Sequence, residues 1–193
     1  WSEDLTYQKT STDNIPYLYK PTKLYTNFDY EAIYGCQNAI IILDKYGAVY
    51  SVGENNCGVL GRADKPFNPI FTTNIPNIVD GLSGIPIKKI RTSKTLVLAL
   101  DARTENVLYM WGGFTSSYAV LPLPNQISGN IIQTPIPYFL GISDLAERKI
   151  NDFQPFTSGA LVLLDNGVLM GYGKGGIIAN NFERDCPLNN VVI

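Results

Sequence analysis

Histidine is absent from all 193 residues. A cysteine nucleophile therefore has no imidazole to take its proton, and a zinc site built on His has no donor. Cysteine is also scarce. The three thiols, Cys36, Cys57 and Cys186, are odd in number and form no Cys-x-x-Cys pair. Such usage fits packed thiols in a reducing compartment better than the disulfide framework of a secreted domain. Charge is thin, at 17% Asp, Glu, Lys and Arg with a net charge of −2. Nucleic acid is not an expected partner, because that footprint needs clustered Lys and Arg, and the densest basic spot (Lys88, Lys89, Arg91) is too small to follow a phosphate backbone. No apolar run reaches transmembrane length, so no membrane insertion is expected in this segment. No basic-then-apolar signal segment opens the chain, which starts at Trp1 rather than Met. The expected location is intracellular, with nucleus or cytoplasm ahead of mitochondrion.

What the chain does hold is Tyr 12, Phe 8, Gly 17 and Pro 12, a composition that leans to strands and turns. Three segments repeat. Ala39–Leu43 is followed by Gly47–Gly53, Leu96–Leu100 by Asn106–Gly112, and Gly159–Leu163 by Gly167–Gly173. Each reads as an apolar strand, a tight turn carrying Asp, Asn or Gly, and a second strand closing on a glycine, which is a hairpin pattern. The closing glycines Gly53, Gly112 and Gly173 lie 59 and 61 residues apart. The second copy has the longer turn, Asp101 to Asn106. Upstream marks recur as well: Pro21 before Ile33, Pro76 before Ile90 and Pro137 before Ile150, at separations of 12, 14 and 13 residues. Units of about sixty residues with roughly four short strands each describe blades of a β-propeller rather than a helical solenoid. Only Ser143–Lys149 reads as a short helical turn.

The stretch Leu43-Asp-Lys-Tyr-Gly-Ala-Val-Tyr-Ser-Val-Gly-Glu-Asn-Asn-Cys-Gly-Val-Leu-Gly61 resembles the hallmark of the regulator of chromosome condensation repeat family. Gly47, Val49, Tyr50, Ser51, Gly53, Asn55, Gly58, Leu60 and Gly61 match that pattern, while Val52 stands for its Trp and Val59 for its Gln. The second copy keeps Tyr109, Trp111 and Gly112 without the Gly-x-Leu-Gly tail. The third keeps Gly167, Leu169 and Gly173, with Tyr172 at the Trp position. Ala39, Leu96 and Gly159 stand where the family often carries His at the start of its third strand, which marks a divergent member or fragment. The resemblance implies an all-β propeller, about three complete four-stranded blades of a ring that closes in the family with seven. Residues 1–20 would then end a preceding blade, with Trp1 as its terminal Trp. Blades would occupy 21–75, 76–136 and 137–186, and 187–193 would open a following blade at Pro187. Three blades cannot close a ring, so a piece of a longer protein, or completion by another chain, is expected.

No catalytic constellation emerges from the residues. Gly171–Gly176 is glycine-rich, but no helix-forming segment follows it to cradle a phosphate, so it reads as the exit from a strand. Asp44 and Asp165 flank hairpin turns, where such side chains bond the backbone locally, and the carboxylate neighbours Asp29/Glu31 and Glu183/Asp185 read as solvated loops. No cofactor and no metal are expected. Function in a propeller sits on its loops, and two stand out by composition. Gly113–Tyr118 places Phe114 and Tyr118 directly after Trp111-Gly112, where inter-blade packing is the alternative role. The turn from Asp101 to Asn106 carries Arg103 and Glu105 at a hairpin tip. Aromatics with Arg are frequent interface anchors. The expected function is a non-enzymatic protein-interaction scaffold or regulatory subunit. The family resemblance also implies guanine-nucleotide exchange on a Ran-like small GTPase, and a third reading is an inhibitor or effector propeller that masks its target.

Overall fold

The computed structural model describes residues 29–63, 72–113, 131–138, 148–156 and 159–173. Its strands are β1 (Tyr30–Gly35), β2 (Ala39–Asp44), β3 (Val49–Glu54), β4 (Thr72–Ile78), β5 (Ile87–Thr92), β6 (Leu96–Asp101), β7 (Leu108–Gly113), β8 (Ile131–Tyr138), β9 (Ile150–Phe156), β10 (Gly159–Leu164) and β11 (Leu169–Gly173), with one 3-10 turn at Asn56–Gly58. They form three antiparallel sheets, ordered β1-β2-β3-β4, β5-β6-β7-β8 and β9-β10-β11. Each sheet is one blade, and we number the blades 1 to 3. Blades 1 and 2 have four strands, and blade 3 has three among the described residues.

Sheets and sequence repeats are cut differently. The repeated hairpin supplies the two central strands of blades 1 and 2, β2–β3 and β6–β7, not a terminal pair. After the hairpin the chain returns antiparallel along the outside of the same sheet, so β4 and β8 finish blades 1 and 2. The divisions at 75/76 and 136/137 therefore fall inside those strands. The proline marks shift as well. Tyr50 pairs with Ile78, and its equivalent Tyr109 pairs with Pro137, so Pro135 and not Pro137 occupies the place of Pro76. Pro76 and Pro135 both sit where the register of an outer strand slips. Edge strands and bulges are where a sheet tolerates a residue without an N–H.

The hairpin turns close as their composition predicts, with one exchange. The Asp44 carboxylate accepts from Tyr46 N–H at 2.9 Å and Ala48 N–H at 2.8 Å, while Asp101 accepts from Arg103 N–H at 2.8 Å. In the third turn the accepting side chain is Asn166, from Val168 N–H at 3.1 Å, where Asp165 was expected. The residue after each turn-opening position donates back to the residue before the blade's first strand: Lys45 to Asp29, Ala102 to Pro86 and Asp165 to Lys149, at 3.0, 2.8 and 2.9 Å. At the far end Gly53 and Gly112, with φ of 116° and 101°, cross so close to the start of the neighbouring strand that a Cβ would strike the carbonyl oxygens of Asn38 and Thr95. The same two carbonyls accept from the next residues, Glu54 and Gly113, both at 2.9 Å.

Side-chain alternation gives each blade two faces. The front carries Ile33, Ile40, Ile42 and Tyr50 in blade 1, Ile90, Val97, Ala99, Tyr109 and Trp111 in blade 2, and Phe153, Ala160, Val162 and Met170 in blade 3. The back carries Ile41, Leu43 and Val49, then Leu98, Leu100 and Leu108, then Leu161, Leu163 and Leu169. The continuous core joins the back of blade 1 to the front of blade 2, and the back of blade 2 to the front of blade 3. Burial on both faces is why β6 reads as an unbroken apolar run instead of alternating.

Candidate functional site

Two features of the described residues organise chemistry: the row of hairpin turns at one end of the blades, and the joint between blades 1 and 2. The turns come first because the sequence placed two candidates there. Arg103 folds back on its own turn. Its Nε and Nη2 reach the two Asp101 carboxylate oxygens at 3.0 and 2.7 Å, and this hydrogen-bonded guanidinium holds the Asp101 carboxyl below its usual range. Bidentate geometry of this kind is the strong form of the pair. Glu105 bridges instead. It accepts from Lys88 Nζ at 2.6 Å and lies 3.7 Å from Lys149 Nζ, and the Lys88 bond is the main cause lowering its pKa. Its backbone carbonyl accepts from Ile150 N–H at 2.7 Å, as the Gly47 carbonyl accepts from Ile87 N–H at 2.9 Å. Each turn thus holds the first strand of the next blade.

The basic spot is absorbed by the same joints. Lys89 and Arg91 on β5 reach Asp152 on β9 at 2.8 and 3.5 Å, so blade 2 is tied to blade 3 through charge. The Lys89 bond leads the causes that lower the Asp152 pKa. What the turn row leaves to solvent is an aromatic that sequence reasoning passed over. Tyr46 is 72% exposed, and the Lys45 ammonium sits 5.1 Å from its ring centroid while also pairing with Asp29. The available signal was an aromatic inside a turn otherwise made of Asp, Lys and Gly.

The second feature explains the repeat hallmark. Trp111, fully buried on the front of blade 2, donates its indole N–H to the Val59 carbonyl of blade 1 at 2.9 Å. The Gly58-Val59-Leu60-Gly61 tail wraps this indole. Gly61 has φ of 65°, and a Cβ there would lie 2.8 Å from the indole nitrogen and 2.8 Å from Val79. The tail is fixed from within blade 1, where the Asn55 side-chain oxygen accepts from Leu60 N–H at 3.1 Å and Ser51 Oγ donates to the Leu60 carbonyl at 2.7 Å.

The remaining sequence candidates are quickly located. Gly47 and Gly167 sit in hairpin turns with φ of 85° and 84°, Gly58 ends the 3-10 turn, and Gly173 ends β11. Phe114 and Tyr118 lie outside the described residues, as do Trp1, Cys186, Pro187, the greater part of Ser143–Lys149 and the glycine-rich stretch beyond Gly173. Cys36 and Cys57 are free thiols, both partly buried, and burial pushes Cys36 up to about 12. Among the described residues no group of His, Cys, Asp and Glu is arranged to hold a metal ion, and no helix is long and apolar enough to cross a membrane.

No protein-family model matches the chain, and no curated protein sequence matches it. Solved structures do. Human WBSCR16 is 23% identical with a TM-score of 0.62, over 77% of this chain and 34% of that one. Prp20p from Saccharomyces cerevisiae, described with its binding to Gsp1p and histones, is 20% identical with a TM-score of 0.55, over 76% of this chain and 32% of that one. The same yeast protein, there called yeast RCC1 and bound by Kap60, is matched at 19% identity and a TM-score of 0.55. The chain spans about a third of the length of these structures. With the Gly-x-Leu-Gly tail of one blade closing on the Trp of the next, these likenesses give the described residues the fold of a partial β-propeller of the regulator of chromosome condensation type.

Proposed function

We propose that this chain is part of a non-enzymatic propeller that holds a protein partner on the face carrying its hairpin turns. The observation that carries the reading is how the charged side chains of that face are used. Arg103, Glu105, Lys88, Lys89 and Arg91 are spent on pairs within and between blades, which builds a rigid rim, while Tyr46 stands out from it. An exposed aromatic on a fixed rim, with the Lys45 ammonium 5.1 Å from its ring, is the composition of an interface anchor rather than of a reacting centre. The binding described for yeast Prp20p supports a protein partner for this fold. In a quantitative pull-down with the immobilised chain, Tyr46→Ala combined with Arg103→Ala should release a partner that the unmodified chain retains. Phe114→Ala with Tyr118→Ala tests the second loop in the same assay. A partner list unchanged by Tyr46→Ala with Arg103→Ala overturns the assignment of the face, since Phe114 and Tyr118 follow Gly113 at the opposite end of β7 from the turns.

A second reading, exchange of guanine nucleotide on a Ran-like GTPase, draws on the fold shared with Prp20p and its binding to Gsp1p. It predicts faster release of a fluorescent guanine nucleotide from Ran when the protein is added, by displacement through loops without covalent chemistry. Absence of acceleration at micromolar concentrations sinks it.

A further inference from the structure

The joints between blades 1 and 2 and between blades 2 and 3 share one backbone and carry different chemistry. At the first, the Gly47 carbonyl accepts from Ile87 N–H, and a Cβ on Gly47 would meet Pro86 at 3.0 Å. At the second, Glu105 takes the place of Gly47 and Lys149 that of Pro86, with the Glu105 carbonyl accepting from Ile150 N–H. Glu105 keeps the positive φ of that position, 56° against 85° for Gly47, a conformation that a side chain makes costly. The first joint closes without charge, so the fold does not demand a carboxylate there. What Glu105 does is gather cations from two blades: Lys88 Nζ on β5 at 2.6 Å, and Lys149 Nζ, just ahead of β9, at 3.7 Å.

Exposure is divided unevenly within these pairs. The side chains of Lys88, Arg103 and Lys149 are 51%, 52% and 63% exposed, while Glu105 is 25% and Asp101 2% exposed. Three cations therefore stand at the surface over two carboxylates set deeper, and the turn face is positive here although the chain carries −2 overall. Arg148 and Asp165, both exposed next to Lys149, offset one another. We propose that the Lys88–Lys149 pair, with Arg103, receives an acidic segment of the protein partner, whose carboxylates meet the ammonium groups that Glu105 holds in place. Complementary charge of this kind sets partner choice and encounter rate. The inference rests on the partner-holding reading of the turn face and adds the partner's chemistry. A nucleic acid fits less well, because carboxylates are interleaved among these cations and the overall negative charge opposes a polyanion.

The test is fluorescence anisotropy of a fluorescein-labelled polyglutamate peptide titrated with the 193-residue chain at low and at physiological salt. The unmodified chain should bind the peptide, more weakly at the higher salt. Lys88→Gln combined with Lys149→Gln should weaken binding by about tenfold. Lys94→Gln removes an exposed cation at the opposite end of blade 2 and should leave binding unchanged. Glu105→Gln should bind the peptide more tightly, since it takes away the opposing charge and keeps an oxygen for Lys88. Glu105→Asn, which accepts the positive φ more readily, replaces it if the near-UV circular dichroism spectrum changes. An ion pair that serves only the fold would not respond with opposite signs to loss of its two halves. No binding of the peptide, binding indifferent to the paired lysine variant, weaker binding after loss of the Glu105 charge, or a DNA duplex bound as tightly through the same lysines each overturns the proposal. If the peptide fails while Tyr46→Ala with Arg103→Ala still releases a partner in the pull-down, only the acidic chemistry falls; an unchanged partner list removes the face itself.

Discussion

Replacing Trp111 probes the blade 1–blade 2 joint directly, and the structure sets the expected size of the effect. Trp111→Ala removes a fully buried indole, for which large-to-small core changes cost about 3–5 kcal/mol. It also strands the Val59 carbonyl that the indole N–H satisfies at 2.9 Å. Trp111→Phe keeps most of the apolar volume but loses the donor, so its cost should be about 1–3 kcal/mol, the penalty of an unmet buried polar group. With a urea slope of about 2 kcal/mol/M, the midpoint should fall by about 1 M for Phe and about 2 M for Ala, read by far-UV circular dichroism so that the probe does not depend on the mutated fluorophore. The decisive variant is Gly61→Ala. At φ of 65° the added Cβ carries a conformational cost of about 1–2 kcal/mol, and it also strikes the indole and Val79. In a Trp111→Ala background the clash with the indole disappears while the φ cost stays. The double variant should therefore be more stable than the sum of the singles predicts, with a coupling of about 1 kcal/mol or more, as expected for side chains in contact. Additivity within about 0.5 kcal/mol, or a Trp111→Phe cost below that size, refutes the socket.

Three further outcomes follow from the electrostatics and the thiols. Asp101, Glu105 and Asp152 all have folded pKa values below their ordinary ones. Their contribution is present above the unfolded carboxylate value of about 4 and is lost as pH falls through the lower folded values. Urea midpoints should drop on acidification below about pH 4, and Asp101→Asn should flatten that limb; an unchanged limb argues against the Arg103 pair. Asp152→Lys places three cations where Lys89 and Arg91 now meet a carboxylate, so it should destabilise by about 1 kcal/mol at low salt and recover part of this in 1 M salt, where such partly exposed pairs are screened; no salt dependence would contradict the assignment. Cys36, with its thiol raised to about 12 by burial, should resist iodoacetamide at pH 8 in the folded chain and react in urea, and peptide mapping that finds it labelled at equal rates removes it from the core.

The fold was legible because its signals are local. Turn residues mark the hairpins, and their spacing marks the period. What the sequence left ambiguous was non-local. Ile131-Ile-Gln-Thr-Pro-Ile-Pro-Tyr138 contains two prolines two residues apart, and only the pairing of β8 with β7 reveals that Pro135 holds the place of Pro76. The assignment of β4 and β8 to the preceding hairpin depends on the same ladder bonds, which no run of residues encodes. For the candidate site, Arg103 and Glu105 were correctly read as lying in a turn. Their partners Asp101, Lys88 and Lys149 come from within and across the blades, and that engagement is invisible without the fold. Tyr46 lies in a turn that leads into the best-matched repeat, and its 72% exposure is visible only in the fold.

The uneven match to the repeat family has a structural explanation. Counted by repeat, the first copy has the tail without the Trp and the second has the Trp without the tail, which reads as two half-kept motifs. Counted by joint, Gly58–Gly61 and Trp111 are the two halves of a single contact between blades 1 and 2. Each half requires the other. Without an indole to wrap, nothing presses Gly61 into its close approach with φ of 65°, and without the tail the indole N–H loses its carbonyl. Val52 lies on the front of blade 1 opposite Ile40, outside this contact, so the lack of an indole there leaves the contact intact. The unit on which the hallmark acts is therefore the seam between neighbouring blades, and substitutions should be tolerated or rejected together across a seam rather than within a repeat.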